Sequence, residues 1–383
     1  MSKTYLLIDD EAESAASTEP YAEAIAEASQ GSLEVRSHRP SSIEEVLESI
    51  AKTKPDGLLL DIAFTNALME DRAQLPYDGI ALAQQIRTLQ TRGSRHGTAS
   101  LPEFPLVRFS KADVVREYVT GDTTSEDLFD EKVDKADVIE HAESVAKRLD
   151  CLAADYPKVS EFAAAEDKSD NALAQLLGQE EEFLARLDAR TLLGLRRRDA
   201  PAHVLSRYVT GPLLGRPGPL IPEALLAVRL GVDLAQSEDW AAIRESLRSA
   251  SYQGVFSSGY ERWWMALVLD WWATQIDSER APFRLGAGER VEAIKRKLGL
   301  SKVFPIAENP YSPGAKFWHI CIASRLPVDP AFGFPLMPEW GQETWHDVDY
   351  LCLEEARRDP RNARLGRAER ARLAKLRKGD AGA

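Results

Sequence analysis

Short apolar runs alternate with amphipathic, helix-like patterns over the first 150 residues of the chain. The run GLLL at residues 57–60 has four consecutive apolar positions, which suits a strand that is covered on both faces. Strands that alternate with helices in this way are typical of a doubly wound parallel sheet. We predict strands at residues 4–8, 33–38, 57–61, 104–110 and 127–133, and helices at residues 22–28, 42–52 (after a cap at Ser41), 78–90, 114–120 and 136–153.

The alternation stops near Pro157, and helical periodicity dominates most of the remaining chain. Seven prolines between residues 304 and 341 predict an irregular connection there. A last helix is expected at residues 347–358, ahead of an arginine-rich tail. The pattern therefore predicts an α/β domain at residues 1–156 and a mainly α-helical domain at residues 157–383.

The most apolar stretch of the second domain, YERWWMALVLDWWATQI, is predicted to be a core helix. Apolar pairs begin at Trp263, Leu267 and Trp271, so they recur every four residues and cover a broad helix face. An aromatic surface that stacks nucleic-acid bases would need basic residues beside the rings, and only Arg262 is near. The stretch is also shorter than the ~20 apolar residues that cross a bilayer. Core packing is favoured, and no membrane span is expected.

Charge is distributed unevenly along the 383 residues. The chain has 48 Lys and Arg against 61 Asp and Glu, a formal net charge of −13, and residues 1–150 alone hold 16 basic and 29 acidic residues. Residues 357–383 hold 10 basic and 3 acidic residues. The first domain is thus acidic and the C-terminal tail basic. Three cysteines without a paired framework, and no export segment at the start, predict a reducing, cytoplasmic location.

Polar residues stand at or near the predicted carboxyl ends of four strands. Asp9 and Asp10 follow the first strand, and Asp61 ends the third. Ser110 ends the fourth strand, and Lys132 lies in the fifth. Ligands of doubly wound sheets bind at this edge. Because carboxylates bind hard divalent cations and can attack phosphorus, the sequence predicts a cation-dependent phosphoryl pocket.

The same segments resemble the receiver domains of response regulators in two-component signalling. LLIDDE, GLLLD, RFS and DLFDEK stand where that family has its acidic pair, phosphoacceptor strand, switch hydroxyl and lysine-bearing strand. YDGIALAQQIR resembles the family's helix after the phosphoacceptor loop. The resemblance covers residues 3–150, and its signal comes from five fragments in the right order. It implies a flavodoxin-like fold with a five-stranded parallel sheet.

The resemblance implies that Asp61 accepts a phosphoryl group. It implies that Mg²⁺ is held by Asp9, Asp10, Asp61 and the backbone carbonyl of Ala63, where it would neutralise charge on the transferring group. The implied partner is a histidine kinase or another phosphodonor. A homodimer through the receiver-like domain is compatible with the same resemblance.

The remaining site residues are also assigned by the resemblance. It implies that Lys132 pairs with one phosphoryl oxygen and that Ser110 donates a hydrogen bond to another. Phe129, three residues before Lys132, stands at the place of the family's switch aromatic. Lys135 is the alternative lysine if the fifth strand has a different register.

Two residues depart from the family pattern. Lys111 follows the switch hydroxyl where the family has a small residue, and Val133 follows the lysine where the family has proline. The segments before Asp78 and before residue 104 are also long. A degenerate receiver that acts as a phosphorylation-independent docking module therefore stays open. So do ordinary roles for the acidic residues at a helix cap or strand exit, and for Lys132 in a surface charge run.

The helical domain is expected to be an output domain that binds a macromolecular partner. His319, Cys321, His346 and Cys352 offer zinc-type ligands, but their spacing fits no finger pattern. An effector enzyme, a hydrolase or nuclease that uses the two histidines and neighbouring acids, is a further alternative.

The basic tail is predicted to form an amphipathic helix. Leu365, Ala368, Arg372, Leu373 and Leu376 stand at near-helical spacing. We expect this helix to dock on an acidic partner or on the acidic first domain. A protein partner is favoured over nucleic acid, because the tail has no aromatic residues among its basic ones.

Overall fold

The computed structural model describes residues 2–10, 19–64, 75–92, 100–119, 125–339 and 341–380. Much of the two long segments noted in the sequence, residues 65–74 and 93–99, lies outside these ranges. The chain divides into two compact units. The first consists of residues 1–211 with 253–260, and the second of residues 212–252 with 261–383.

The first unit is built on a five-stranded parallel sheet, as predicted. The strand order is β2-β1-β3-β4-β5, which is the order of flavodoxin-like folds. All four residues of the GLLL strand are buried, as expected for a strand covered on both faces. The strands are β1 (Lys3–Ile8), β2 (Leu33–His38), β3 (Gly57–Leu60), β4 (Leu106–Ser110) and β5 (Glu131–Asp134).

Eight α-helices are described in the first unit, and five of them alternate with the strands as predicted. The cap of the second helix is Ser42, one residue later than predicted, and its Oγ accepts a hydrogen bond from the N–H of Glu45 at 3.3 Å. The helices are α1 (Glu19–Ala28), α2 (Ile43–Thr53), α3 (Gly79–Arg92), α4 (Ala112–Val119), α5 (Lys135–Ala164), α6 (Asp170–Leu176), α7 (Ala189–Leu193) and α8 (Ala202–Tyr208).

The first unit extends beyond residue 156, where the sequence predicted a domain boundary. That residue lies inside α5, which continues to Ala164, and the chain belongs to the first unit as far as Gly211. The prediction rested on the end of the strand–helix alternation near Pro157. Here Pro157 is accommodated within the helix, so the observed division falls later in the chain.

The fifth strand lies nearer the C-terminus than predicted. A 3₁₀ turn covers Ser125–Leu128, and the strand begins only at Glu131. The sequence predicted Phe129 within the fifth strand. In the structure Phe129 precedes that strand, and its ring is buried in the core. Asp130 is also buried, and its carboxylate accepts hydrogen bonds from Arg87 and from the N–H of Leu106. This shift changes which lysine stands at the strand end.

The second unit combines short helices with two-stranded antiparallel pairs, so it is less purely helical than predicted. The elements of the second unit are β6 (Leu220–Ile221), α9 (Glu223–Leu230), α10 (Trp240–Ser246), β7 (Trp263–Trp264), α11 (Met265–Trp271), α12 (Ala287–Leu298), β8 (His319–Ile320), β9 (Pro327–Val328), β10 (Phe334–Pro335), β11 (Tyr350–Leu351), α13 (Leu353–Arg358) and α14 (Arg367–Asp380).

Among the described residues, every helix of the chain is too short or too polar to cross a membrane.

The tryptophan-rich stretch forms the core of the second unit, as predicted, but only part of it is an α-helix. Trp263 and Trp264 pair with β6 as strand β7, and α11 begins at Met265. Aromatic residues are enriched in strands, which explains the short pairing. Both of these rings, and those of Trp271 and Trp272, are at most 4% exposed. Core packing is therefore confirmed for all four.

The C-terminal tail forms the predicted amphipathic helix, α14. Leu365, just before it, and Leu373 within it are buried in a small core of the second unit. Arg372 lies 4.1 Å from the ring centre of Phe334. Leu365 and Leu373 thus pack on the tail's own unit, whereas Ala368 and Leu376 of the predicted face are exposed. The preceding helix, α13, begins at Leu353 because the residues before it form β11.

Candidate functional site

Three carboxylates lie together at the carboxyl edge of the first unit's sheet. Asp9 and Asp10 follow β1, and Asp61 follows β3, the neighbouring strand. The N–H of Asp61 donates to the carbonyl of Ile8 at 3.0 Å, which continues the ladder between the two strands. One carboxylate oxygen from each of the three residues lies within 4.8 Å of the other two, and each residue is at most 7% exposed. The structure thus brings together the three acidic residues singled out in the sequence.

Lys135 supplies the cation of this cluster. Its Nζ lies 2.6 Å from Oδ2 of Asp61 and 2.7 Å from Oδ2 of Asp9, and its side chain is 3% exposed. Burial opposes the ammonium charge, but the two carboxylates outweigh it and raise the pKa of Lys135. Lys132, which the sequence analysis assigned to this place, is exposed in β5. The assignment to Lys132 is therefore corrected to Lys135, the alternative left open by the register.

Ser110 ends β4 beside Asp61 and is 1% exposed. Its hydroxyl donates to Oδ1 of Asp61 at 2.7 Å and accepts from the N–H of Ile62 at 3.0 Å. The Asp61 carboxylate is therefore held on both sides, through Oδ1 by Ser110 and through Oδ2 by Lys135. Such contacts fix the orientation of a buried carboxylate and satisfy its oxygens.

The loop after Asp61 is packed against the start of α3. Ala63 is 9% exposed, and its N–H donates to Oδ1 of Asp61 at 3.4 Å. The N–H of Gly79 donates to the carbonyl of Ile62 at 3.0 Å. A Cβ atom at Gly79 would lie 1.9 Å from the carbonyl oxygen of Asp61. Glycine is therefore required here, while Asp78 caps the helix by accepting from a following N–H.

Phe129 does not stand at the site. It precedes β5 and is 2% exposed in the core of the sheet. With Lys135 as the site lysine, the position three residues earlier is Lys132. The role of switch aromatic assigned to Phe129 is thus corrected, because the fifth strand begins later than its apolar pattern indicated. The signal that could have shown this is Asp134, whose side chain accepts from the N–H of Ala136 and caps α5 directly before Lys135.

The donor set suits a hard divalent cation. Asp9, Asp10 and Asp61 all offer carboxylate oxygens, which are the ligands that Mg²⁺ prefers. Within the described ranges, Asp9, Asp10 and Asp61 are the acidic, histidine or cysteine side chains that converge closely enough to bind a metal. The ammonium of Lys135 already contacts two of these carboxylates. A bound cation would therefore share them with Lys135.

The four zinc-type ligands of the second unit do not converge as a set, as judged over the described residues. The side chains of Cys321 and Cys352 do contact each other, and each Sγ is also 3.4 Å from an atom of Ser324. The ring of His319 instead stacks on Tyr350 at 4.2 Å between ring centres. His346 has its Nε2 2.8 Å from the carbonyl of Pro212, also within the second unit. The contacts of the four side chains give no support to a zinc site.

Some of the residues considered for an effector enzyme in the second unit lie around one cavity. His319, Asp347 and Asp349 border one cavity of about 460 Å³ in the second unit, whereas His346 is absent from its wall. Asp347 accepts a hydrogen bond from Arg229, and Asp349 lies 2.6 Å from Arg364. Both carboxylates are thus paired with arginines. Burial and the nearby Arg229 lower the pKa of His319 to about 4.

No protein-family model matches the chain, and no curated protein matches it. Solved structures do match. NtrX from Brucella abortus is 18% identical, with a TM-score of 0.29, over 51% of this chain and 35% of its own. The BeF₃-activated N-terminal receiver domain of Klebsiella pneumoniae RstA is 18% identical, with a TM-score of 0.22, over 36% of this chain and 97% of its own.

The receiver domain of Brucella abortus NtrX is 20% identical, with a TM-score of 0.23, over 36% of this chain and 97% of its own. The alignment with the longer NtrX chain spans about a third of that chain's length. The part of the chain that matches is thus similar to response-regulator receiver domains.

Proposed function

We propose that the chain is a response-regulator-like signalling protein in which Asp61 accepts a phosphoryl group. The observation that supports this function best is the buried cluster of Asp9, Asp10 and Asp61, with Lys135 and Ser110 bound to opposite oxygens of Asp61. In this proposal Mg²⁺ is held by the three carboxylates and the carbonyl of Ala63. The metal would neutralise charge on the transferring phosphoryl group.

Asp61, Lys135 and Ser110 each have a separate role in the proposed phosphoryl transfer. An oxygen of Asp61 forms a bond to phosphorus as the bond between phosphorus and the donor's leaving atom breaks. An acyl phosphate leaves through oxygen as its carboxylate, and a phosphohistidine leaves through nitrogen as its imidazole. Lys135 then pairs with one phosphoryl oxygen and Ser110 donates its hydroxyl hydrogen to another. We further propose that the second unit is the output part, that it binds a protein partner, and that the phosphodonor in the cell is a histidine kinase.

Small-molecule phosphorylation tests this proposal directly. The full chain is incubated with acetyl phosphate and Mg²⁺ and is run on a phosphate-retarding gel. We expect a retarded band for the wild type and for Asp56→Asn, and no such band for Asp61→Asn. Asp56 is a suitable control because it stands at the opposite end of β3, where its carboxylate accepts from the N–H of Thr4. A band of equal intensity in Asp61→Asn would disprove the assignment.

A degenerate receiver is the second candidate function. It is favoured by Lys111, exposed directly after Ser110, and by Lys132, which replaces an aromatic residue three positions before Lys135. In this alternative the first unit docks on its partner without phosphorylation. Asp61→Asn would then bind that partner with unchanged affinity. A calorimetric titration with the protein that co-purifies with the wild-type chain measures the difference.

A further inference from the structure

Residues 253–260, called here the returning segment, belong to the first unit although the residues on both sides belong to the second. The N–H of Val255 donates to the carbonyl of Leu176 at 2.9 Å. The N–H of Phe256 donates to Oδ2 of Asp155, on α5, at 2.6 Å. The segment is therefore bound to the helical part of the first unit through its backbone.

The returning segment is held in a conformation that its sequence does not favour. Phe256 has a φ of +66° and is fully buried, although a bulky residue with positive φ is strained. Gly178 approaches it so closely that a Cβ atom there would lie 2.3 Å from the carbonyl carbon of Gln253. Such strain persists where the surroundings over-determine it, and it is concentrated in clamps and switch regions. The segment has the features of a clamp.

The end of the returning segment binds the start of β5. The hydroxyl of Tyr260 donates to Glu131, the first residue of that strand, and Arg148 donates to the same carboxylate at 3.2 Å. Burial raises the pKa of Glu131, although Arg148 opposes the shift. A carboxylate placed in a buried position needs such partners, so removal of the Tyr260 hydroxyl leaves it under-satisfied.

The other end of β5 leads directly into the phosphoacceptor site. The strand is four residues long, and the next residue is Lys135, whose Nζ contacts Asp61 and Asp9. Four residues of strand span roughly 13 Å, and all four pair with β4, from Glu131 opposite Val107 to Asp134 opposite Ser110. A shift of Lys135 towards a phosphoryl group on Asp61 therefore pulls on Glu131. The bond from Tyr260 resists that pull.

We propose that β5 couples the Asp61 site to the returning segment, so that phosphorylation loosens the Tyr260–Glu131 contact and the change passes along the chain into the second unit. This inference rests on the proposed phosphorylation of Asp61. It assigns Tyr260 as a positioning residue that acts on the site through Glu131 and Lys135. Because coupling between two sites is reciprocal, weakening the contact strengthens binding of a phosphoryl analogue at Asp61.

The test measures the affinity of the full chain for beryllofluoride in the presence of Mg²⁺, by isothermal titration calorimetry. We expect Tyr260→Phe to bind about fivefold more tightly than the wild type, at the lower end of typical coupling factors. Tyr208→Phe is the matched control, since its hydroxyl donates to the carbonyl of Thr191 in the same unit. We expect that control to bind as the wild type does. Circular dichroism melts confirm that both variants fold.

Hydrogen exchange gives a second readout on the wild type. Addition of beryllofluoride is expected to increase exchange in residues 253–260. The coupling alone would be overturned if the wild type binds beryllofluoride with the same affinity as Tyr260→Phe and hydrogen exchange in residues 253–260 is unchanged. Failure of the wild type to bind beryllofluoride would overturn the proposed function, and this inference with it.

Discussion

Two carboxylates share the ammonium of Lys135, and this side chain decides how readily the pocket accepts another cation. Its Nζ lies 2.6 Å from Asp61 and 2.7 Å from Asp9, so it competes with any metal for the same oxygens. We expect Lys135→Ala to bind Mg²⁺ about tenfold more tightly, a change of about 1.4 kcal/mol. Isothermal titration calorimetry measures it. Lys132→Ala, which removes an exposed ammonium three residues away, is the control. Equal effects of both variants would show that Lys135 does not compete with the metal at close range, and a larger effect of Lys132→Ala would return the site to Lys132.

Ser110 is expected to stabilise the fold as well as the site. Its hydroxyl donates to Asp61 and accepts from Ile62 in a fully buried position. Ser110→Ala leaves both partners without that contact, which costs about 1–3 kcal/mol for a buried polar group. Urea unfolding followed by circular dichroism measures the loss. Thr88→Ala removes an exposed hydroxyl from α3 and should change the free energy of unfolding by less than about 0.5 kcal/mol. A similar loss in both variants would contradict this account.

The start of α3 is the element that shapes the loop after Asp61. Gly79→Ala would place a Cβ atom 1.9 Å from the carbonyl oxygen of Asp61, so the helix must shift away from the sheet. We expect a loss of about 1–3 kcal/mol in unfolding free energy, as for other overpacked sites. Thermal unfolding measures the loss, and Mg²⁺ affinity should fall at the same time. Gly211→Ala is the control, because nothing lies within 4 Å of its added Cβ. A fully stable Gly79→Ala variant would show that the loop is more adaptable than its packing indicates.

Elements with a clear apolar run and an acidic exit could be predicted from sequence alone. Strands β1 and β3 are each followed by aspartate after a run of apolar residues, and the sequence predicted both to within one residue at each end, together with their site residues. The fifth strand was misplaced, because Phe129 and Asp130 are buried by long-range contacts. The pairing of Asp130 with Arg87 on α3 joins residues 43 positions apart. Local periodicity carries no information about such a pair, so the sequence could not fix the register that selects Lys135.

At the scale of the whole molecule, partial burial lowers the pKa of three histidines and so favours their neutral form. Burial, with nearby arginines, lowers the pKa of His203 to about 3 and that of His319 to about 4. Burial also lowers the pKa of His346. His203 belongs to the first unit and the other two to the second. Acidification should therefore weaken both units through the same chemistry, the protonation of imidazoles on unfolding.

The sign of this effect follows from the direction of the shifts. A histidine whose pKa is lower in the folded state binds protons more readily after unfolding, so its contribution to stability is present above pH 6.5 and is lost as pH falls towards the folded value. We expect the melting temperature to fall steadily from about pH 6.5 to about pH 4.5, before most carboxylates titrate. The fall should be smaller in His319→Gln than in the wild type. His141→Gln, which replaces an exposed ring, should keep the wild-type slope. Equal slopes in wild type and both variants would show that protonation of His319 does not limit the acid stability of the molecule.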